Sequence, residues 1–200
     1  MANPSRTHSK APASVAVPAA LKASITPLPA AQPRRPDRRL QLDDIVKLMQ
    51  ADGLIATEQA EEFLKGGRHG RDQHPLVQIA NLKLRSRQPP HRLLHLEWLT
   101  EWLAAKLEIR YLHIDPLKID FSAVTSVISN AYAERYRILP VAVNKTELIV
   151  ATSEPFIRGW ADELEKILGL RVQFAFANPL DINRYLAEFY NLAKSVKRAA

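Results

Sequence analysis

The chain has 200 residues, 46% of them hydrophobic, which suits one domain, or one and a half with a tail. It contains no cysteine, and that excludes disulfides, thiolate nucleophiles and thiolate zinc sites together. No stretch approaches the roughly 18 uncharged apolar residues of a membrane span, so a cytosolic protein is expected.

The formal net charge of +7 is concentrated at one end. Residues 1–39 carry Arg6, Lys10, Lys22, Arg34, Arg35, Arg38 and Arg39 against Asp37 alone, so the chain from Leu40 onward sums to only +1. A folded region this close to neutral lacks the electrostatic footprint of a nucleic-acid groove, and no nucleic-acid partner is expected. The basic stretch also holds seven of the fourteen prolines and is otherwise mostly Ala, Ser and Arg. Such a segment cannot bury enough apolar area to offset its ordering entropy, so 1–39 is expected to be disordered. A secretory leader needs an unbroken apolar core, which Pro12, Pro18, Pro27 and Pro29 interrupt. The same prolines disfavour the amphipathic helix of a transit peptide.

From Leu42 the periodicity is helical, with Ile45, Val46, Leu48 and Met49 on one side. Gly53 stands where a left-handed helix stop is cheap, and Thr57 can cap a second helix through Lys65. This helix–glycine–helix element opens a region of helices and flexible connectors spanning 40–92. The pairs Asp43–Asp44 and Glu61–Glu62 are sequence neighbours that point in different directions on a helix, so they read as solvated faces. "KGGRHGR" (65–71) places three of the six glycines beside basic residues. It could cradle an anion, but G-x-x-x-x-G-K-[ST] is absent and no strand precedes it, so a connector is favoured.

Pro75 starts another helix, with Leu76, Val77, Ile79, Ala80 and Leu82 as its apolar set, and "RSRQPPH" (85–91) breaks the chain. The next helix, about Glu97–Glu108, carries Trp98 and Trp102, which favour core over a ligand-stacking face. Beyond it the pattern alternates. A strand is expected over 109–114, then a helix over 121–136 broken near Asn130. A hairpin follows at 138–143 and 147–152, with Pro140 read as standing at a strand start, then a helix over 160–168 stopped by Gly169 and a strand over 171–176. Asn178-Pro179-Leu180-Asp181 begins a last helix with Ile182, Tyr185, Leu186 and Phe189 inward. The fold class is α+β (mixed α/β). A small helical N-terminal element precedes a short mixed sheet with a hairpin, covered by helices over 93–192.

Catalytic chemistry is hard to place on this chain. His91 and His95 are four apart but in a proline-broken segment, and no H-E-x-x-H or carboxylate cluster accompanies them. His113 falls in an expected strand, where a hydrogen-bonded structural histidine is the ordinary outcome. Neither G-x-S-x-G nor G-x-G-x-x-G occurs. No catalytic, cofactor-binding or metal residues are assigned, and a non-catalytic module is expected by elimination.

The ordered series Tyr111-Leu112, Asp115-Pro116, Arg135-Tyr136, Leu139-Pro140, Glu154-Pro155 and Asn178 to Asp181 lies within about residues 93–190. It resembles the MshEN-like N-terminal domain of type II secretion (E-type) and type IV pilus (B-type) assembly ATPases. The resemblance implies a scaffold that does no chemistry itself. It also implies a C-terminal motor domain holding ATP and magnesium beyond residue 200, with 193–200 as the start of a linker to it. The whole protein is expected to be a homohexameric ATPase, cytoplasmic and peripheral to the bacterial inner membrane, its front domain docked on a platform protein. Candidate docking residues are Ile45, Leu48, Met49, Leu54 and Ile55, with plain packing onto the α/β unit as the alternative. Some relatives use paired copies of the small helical element to bind cyclic di-GMP through an Arg-Leu-Gly start and a closing Gln. Here Asp44-Ile45-Val46 and Gly67 stand at those positions, and Val77 and Leu84 replace the glycines of the second copy. Cyclic di-GMP is therefore not expected as a ligand on this pattern, and a sensing module with altered contacts is the alternative function.

Overall fold

A computed structural model describes residues 36–65 and 73–199. The expectations of disorder over residues 1–35 and of a glycine connector over 66–71 lie outside the described residues. Eight α-helices and three strands are described: α1 (Leu42–Ala51), α2 (Thr57–Lys65), α3 (Pro75–Asn81), α4 (Leu96–Lys106), α5 (Phe121–Val127), α6 (Asn130–Tyr136), β1 (Ile138–Val143), β2 (Glu147–Thr152), α7 (Gly159–Leu168), β3 (Arg171–Phe176) and α8 (Pro179–Ala199). The chain is therefore α+β, as expected.

The strands lie in the order β1-β2-β3. β1 and β2 form the antiparallel hairpin, with Ile138 opposite Thr152 and Val143 opposite Leu148. Asn144 sets its turn by accepting the N–H groups of Thr146 and Glu147, both at 2.8 Å. β2 and β3 run parallel, Glu147 beside Arg171 through Thr152 beside Phe176, so α7 is the crossover between them. Pro140 is not at a strand start. It lies inside β1, next to a register shift between Pro140 and Ala142, and β1 is an edge strand where a missing ladder donor is tolerated.

Two apolar cores result. The sheet core gathers Ile138, Leu148, Val150, Trp160, Ile182 and Phe189. The helical core gathers Ile45, Met49, Leu76, Leu99 and Leu103, and it is joined by Phe176 from the end of β3. Helix α4 thus shares its core with α1 and α3, so the helical body extends beyond the expected boundary at residue 93.

Three other expectations change. The strand expected over 109–114 is reduced to one parallel bridge, Tyr111 beside Phe176. Glu108 turns the chain at φ 54°, and Asp115 accepts the Leu117 N–H to start a short 3-10 turn, so little extended chain remains between them. Residues 193–199, expected to begin a linker, are helical and continue α8. Residues 36–39, expected within the disordered tail, are seated against the β2–α7 turn through the contacts given below. The break in the 121–136 helix falls at Ile128, which is extended, and Ser129 caps α6 by accepting the Tyr132 N–H.

Candidate functional site

The expected docking face is interior. Ile45 and Met49 are fully buried, Leu54 and Ile55 nearly so, and Leu48 is half-buried against the same core. A left-handed Gly53 (φ 66°) lets the chain reverse after α1, carrying Leu54 and Ile55 back under it. These side chains share one apolar core with Leu76 and Ile79 of α3 and Leu99 and Leu103 of α4. Ile45 and Val46, at two of the altered Arg-Leu-Gly positions, are interior as well.

What joins the helical body to the sheet is a polar junction. His74 precedes Pro75, which biases it to extended backbone, and from there its Nδ1 accepts the Leu76 N–H at 3.2 Å, capping α3. Its Nε2 must then carry the hydrogen, which it donates to the Ser153 carbonyl at 2.9 Å. Burial, with Arg137 nearby, lowers the imidazole pKa from 6.5 to about 4, so His74 is neutral. Beside it Glu154, 2% exposed, accepts the Leu40 N–H at 3.0 Å and lies 3.7 Å from Arg137 Nη1. Burial raises the Glu154 pKa, while the Leu40 N–H, Arg137 and Arg39 oppose that rise.

Residues 37–40 form a strap over this junction. Asp37 accepts the N–H groups of Arg158 (3.1 Å) and Gly159 (2.9 Å), capping α7 from far away in sequence. Arg38 pairs with Asp44 at 2.6 Å, and its guanidinium sits 4.3 Å from the Phe156 ring centroid. A Cβ on Gly159 would stand 2.8 Å from Asp37 Oδ2, so glycine is what admits the strap. The Ser153–Phe156 segment is the seat of this strap, through Glu154 and Phe156.

A second tie centres on Glu97. It accepts the Tyr111 hydroxyl and Asn178 Nδ2 (3.0 Å) and lies 2.9 Å from His113 Nδ1, linking α4 to the start of α8. His113 is hydrogen-bonded as expected, though exposed and outside any strand. Nothing in the local pattern around Glu97 could have marked it, because its partners are distant in sequence.

A cleft of about 250 Å³ opens beside the junction, lined by Gln73, His74, Arg137, Ser153, Leu180 and Asn183. Small-molecule sites usually enclose about 300–1,000 Å³. Both His74 nitrogens are engaged, leaving no free base there. Among the described residues, no group of three or more His, Cys, Asp or Glu could hold a metal ion. Nor is any described helix long and apolar enough to cross a membrane.

Residues 107–196 match the family model of the MshEN domain, which assigns the α/β part of the chain to that domain family. The chain is also 35% identical over 149 residues to the type IV pilus assembly ATPase TfpB of Acinetobacter baylyi. That alignment covers 72% of this chain and 25% of TfpB, so the chain spans about a quarter of the length of the curated relative it matches. These matches bear out the resemblance read from the sequence. Two solved structures are also similar. MshE with cdg has a TM-score of 0.47 at 16% identity, covering 76% of this chain and 100% of that one. The N-terminal domain of XpsE has a TM-score of 0.37 at 14% identity, covering 76% and 98%.

Proposed function

We propose that this chain is the non-catalytic docking and regulatory front of a type IV pilus or type II secretion assembly ATPase, coupling the motor to a platform protein of the inner membrane at its cytoplasmic side. The observation that carries the reading is the 35% identity to a pilus assembly ATPase over 149 residues. The assignment of residues 107–196 to the MshEN domain supports it. A motor that moves a filament needs a rigid anchor, and two cores tied by His74, Glu97 and Glu154 supply a stiff body for that role. ATP and magnesium belong, on this reading, to a C-terminal ATPase domain of the same polypeptide, a homohexamer when whole. The direct test is retention of the purified chain by the immobilised cytoplasmic domain of the platform protein, alongside a turnover assay. Retention without ATP hydrolysis is expected. ATP turnover by the pure chain with no platform binding would overturn the proposal.

On the same reading cyclic di-GMP is not the regulator. The altered motif positions put Val46 and Val77 in the interior, where glycine would have let backbone approach a ligand. Titration calorimetry should show weak binding or none. A low-micromolar dissociation constant would restore the sensing function.

A further inference from the structure

Residues 82–96 hold Lys83, Arg85, Arg87 and Arg92 and no acid. Since residues 40–200 sum to +1, the remainder of that region carries a net −3, and this is its most cationic stretch. All four cations are exposed, and among the described residues none of them forms an ion pair. Their backbone is well fixed. Arg85 bridges Leu93, Ser86 N–H donates to Arg92 O (2.9 Å), Leu94 N–H to Leu84 O (2.8 Å) and Arg87 N–H to Leu54 O (3.0 Å). Gln88 Nε2 donates to Asp52 O at 2.6 Å, tying the tip to α1. Apolar groups accompany the charge: Leu82 is 48% and Leu93 42% exposed, and the Arg92 guanidinium lies 5.9 Å from the half-buried Trp98 ring.

We propose that this pinned loop, with Trp98, is a docking surface for a carboxylate-rich segment of a protein partner. Three of the four cations are arginines, whose planar forks pair with carboxylates two bonds at a time. Arg and Trp together are the residues on which interface energy concentrates. A lipid headgroup layer asks less, only diffuse positive charge worth about 1 kcal/mol per side chain, which a mobile lysine-rich segment supplies as well. A fixed, arginine-weighted loop with flanking leucines fits a protein better. For its place in the machine the inference rests on the docking reading above. Its chemistry stands apart from that reading.

The test uses the full chain and a fluorescein-labelled octaglutamate peptide, read by anisotropy at low salt. Binding is expected, weakening as salt rises. The exposed substitutions Arg85→Glu with Arg87→Glu should weaken it at least about tenfold, one 1.4 kcal/mol step, with Arg85→Gln and Arg87→Gln intermediate. Replacing Arg6, Lys10, Lys22, Arg34 and Arg35 by Gln should leave it within about twofold. Thermal melts check that each variant folds. Equal binding by the Glu variants, loss confined to the tail variant, or sedimentation with phosphatidylglycerol vesicles without peptide binding would each overturn the proposal. The platform assay separates the two readings. If wild type and loop variants bind the platform equally, this surface is wrong and the docking function stands. If wild type binds no platform, the function fails whatever the peptide does.

Discussion

The helical body and the sheet body are built on different principles. In the sheet, contacts run between chain neighbours: β1 turns straight into β2, and α7 carries β2 into β3. Backbone ladders fix the register, and the apolar faces follow from it. The helical body has no such ladder. Its helices, α1 to α4, pack through side chains, with single backbone bonds such as Arg87 N–H to Leu54 O between their loops, and its core is completed by Phe176 from the sheet. Local pairing makes the sheet self-sufficient, whereas the helical body depends on the sheet for a core residue and for the His74, Glu97 and Leu40 ties.

Phe176 is therefore where that asymmetry can be broken most severely. Its backbone finishes the parallel ladder while its side chain, fully buried, belongs to the other core. Phe176→Ala should cost about 3–5 kcal/mol, the range for deleting a buried aromatic. Urea unfolding followed by tryptophan fluorescence reads it, since Trp98 and Trp102 report the helical body and Trp160 the sheet. The helical body should loosen first. A loss below about 1 kcal/mol would mean that the two cores are not joined through this residue.

The next effect is set by pH. His74 titrates near 6.5 when unfolded and about 4 when folded, so between those values the unfolded chain holds the extra proton. Stability must then rise as pH climbs from about 4 to 6.5, by at most about 3 kcal/mol. Glu154 acts in the opposite sense. Burial raises its folded pKa, so it favours the fold as pH falls through that value. His74→Asn keeps a capping acceptor while removing the titrating ring. Urea midpoints at pH 4.5 and 7 should differ less in the variant than in wild type. An unchanged pH slope would show that His74 is not the group titrating at the junction.

How much of this was legible in the sequence follows the same divide. The hairpin and β3 could be read to the residue, because their short apolar runs, Asn144 and Gly169 are local signals that the structure uses locally. The MshEN resemblance rested on that half too. In the helical half, the periodicity of Ile45, Leu48 and Met49 marked an apolar face but not what covers it, since a partner and α4 bury it equally well. The strand expected at 109–114 failed because Tyr111 has one bridging partner, and alternation cannot count partners. The junction was invisible for a related reason. Asp37 lies in a proline-rich, arginine-rich stretch whose composition predicts disorder, yet its carboxylate caps a helix more than a hundred residues away.

That cap is the smallest effect and the sharpest probe of how the strap holds the two bodies together. Asp37 is exposed, so removing its two acceptor contacts should cost about 1 kcal/mol, in the lower half of the capping range. The loss should fall on the sheet body, as faster hydrogen exchange at the Arg158 and Gly159 amides, while α1 and α4 stay protected. Arg38 can still hold the strap through Asp44 and Phe156, which limits the damage. Gly159 supplies the control. In wild type, Gly159→Ala puts a methyl 2.8 Å from Asp37 Oδ2, so the strap must shift and the helix cap weakens. In Asp37→Ala that conflict is gone, and alanine's better helix propensity should make the same substitution neutral or mildly stabilising. The double-mutant cycle should therefore show a coupling of at least about 0.5 kcal/mol, the threshold for residues in contact. Simple additivity would mean that Asp37 does not cap α7 in solution and that the strap is held by Arg38 and Leu40 alone.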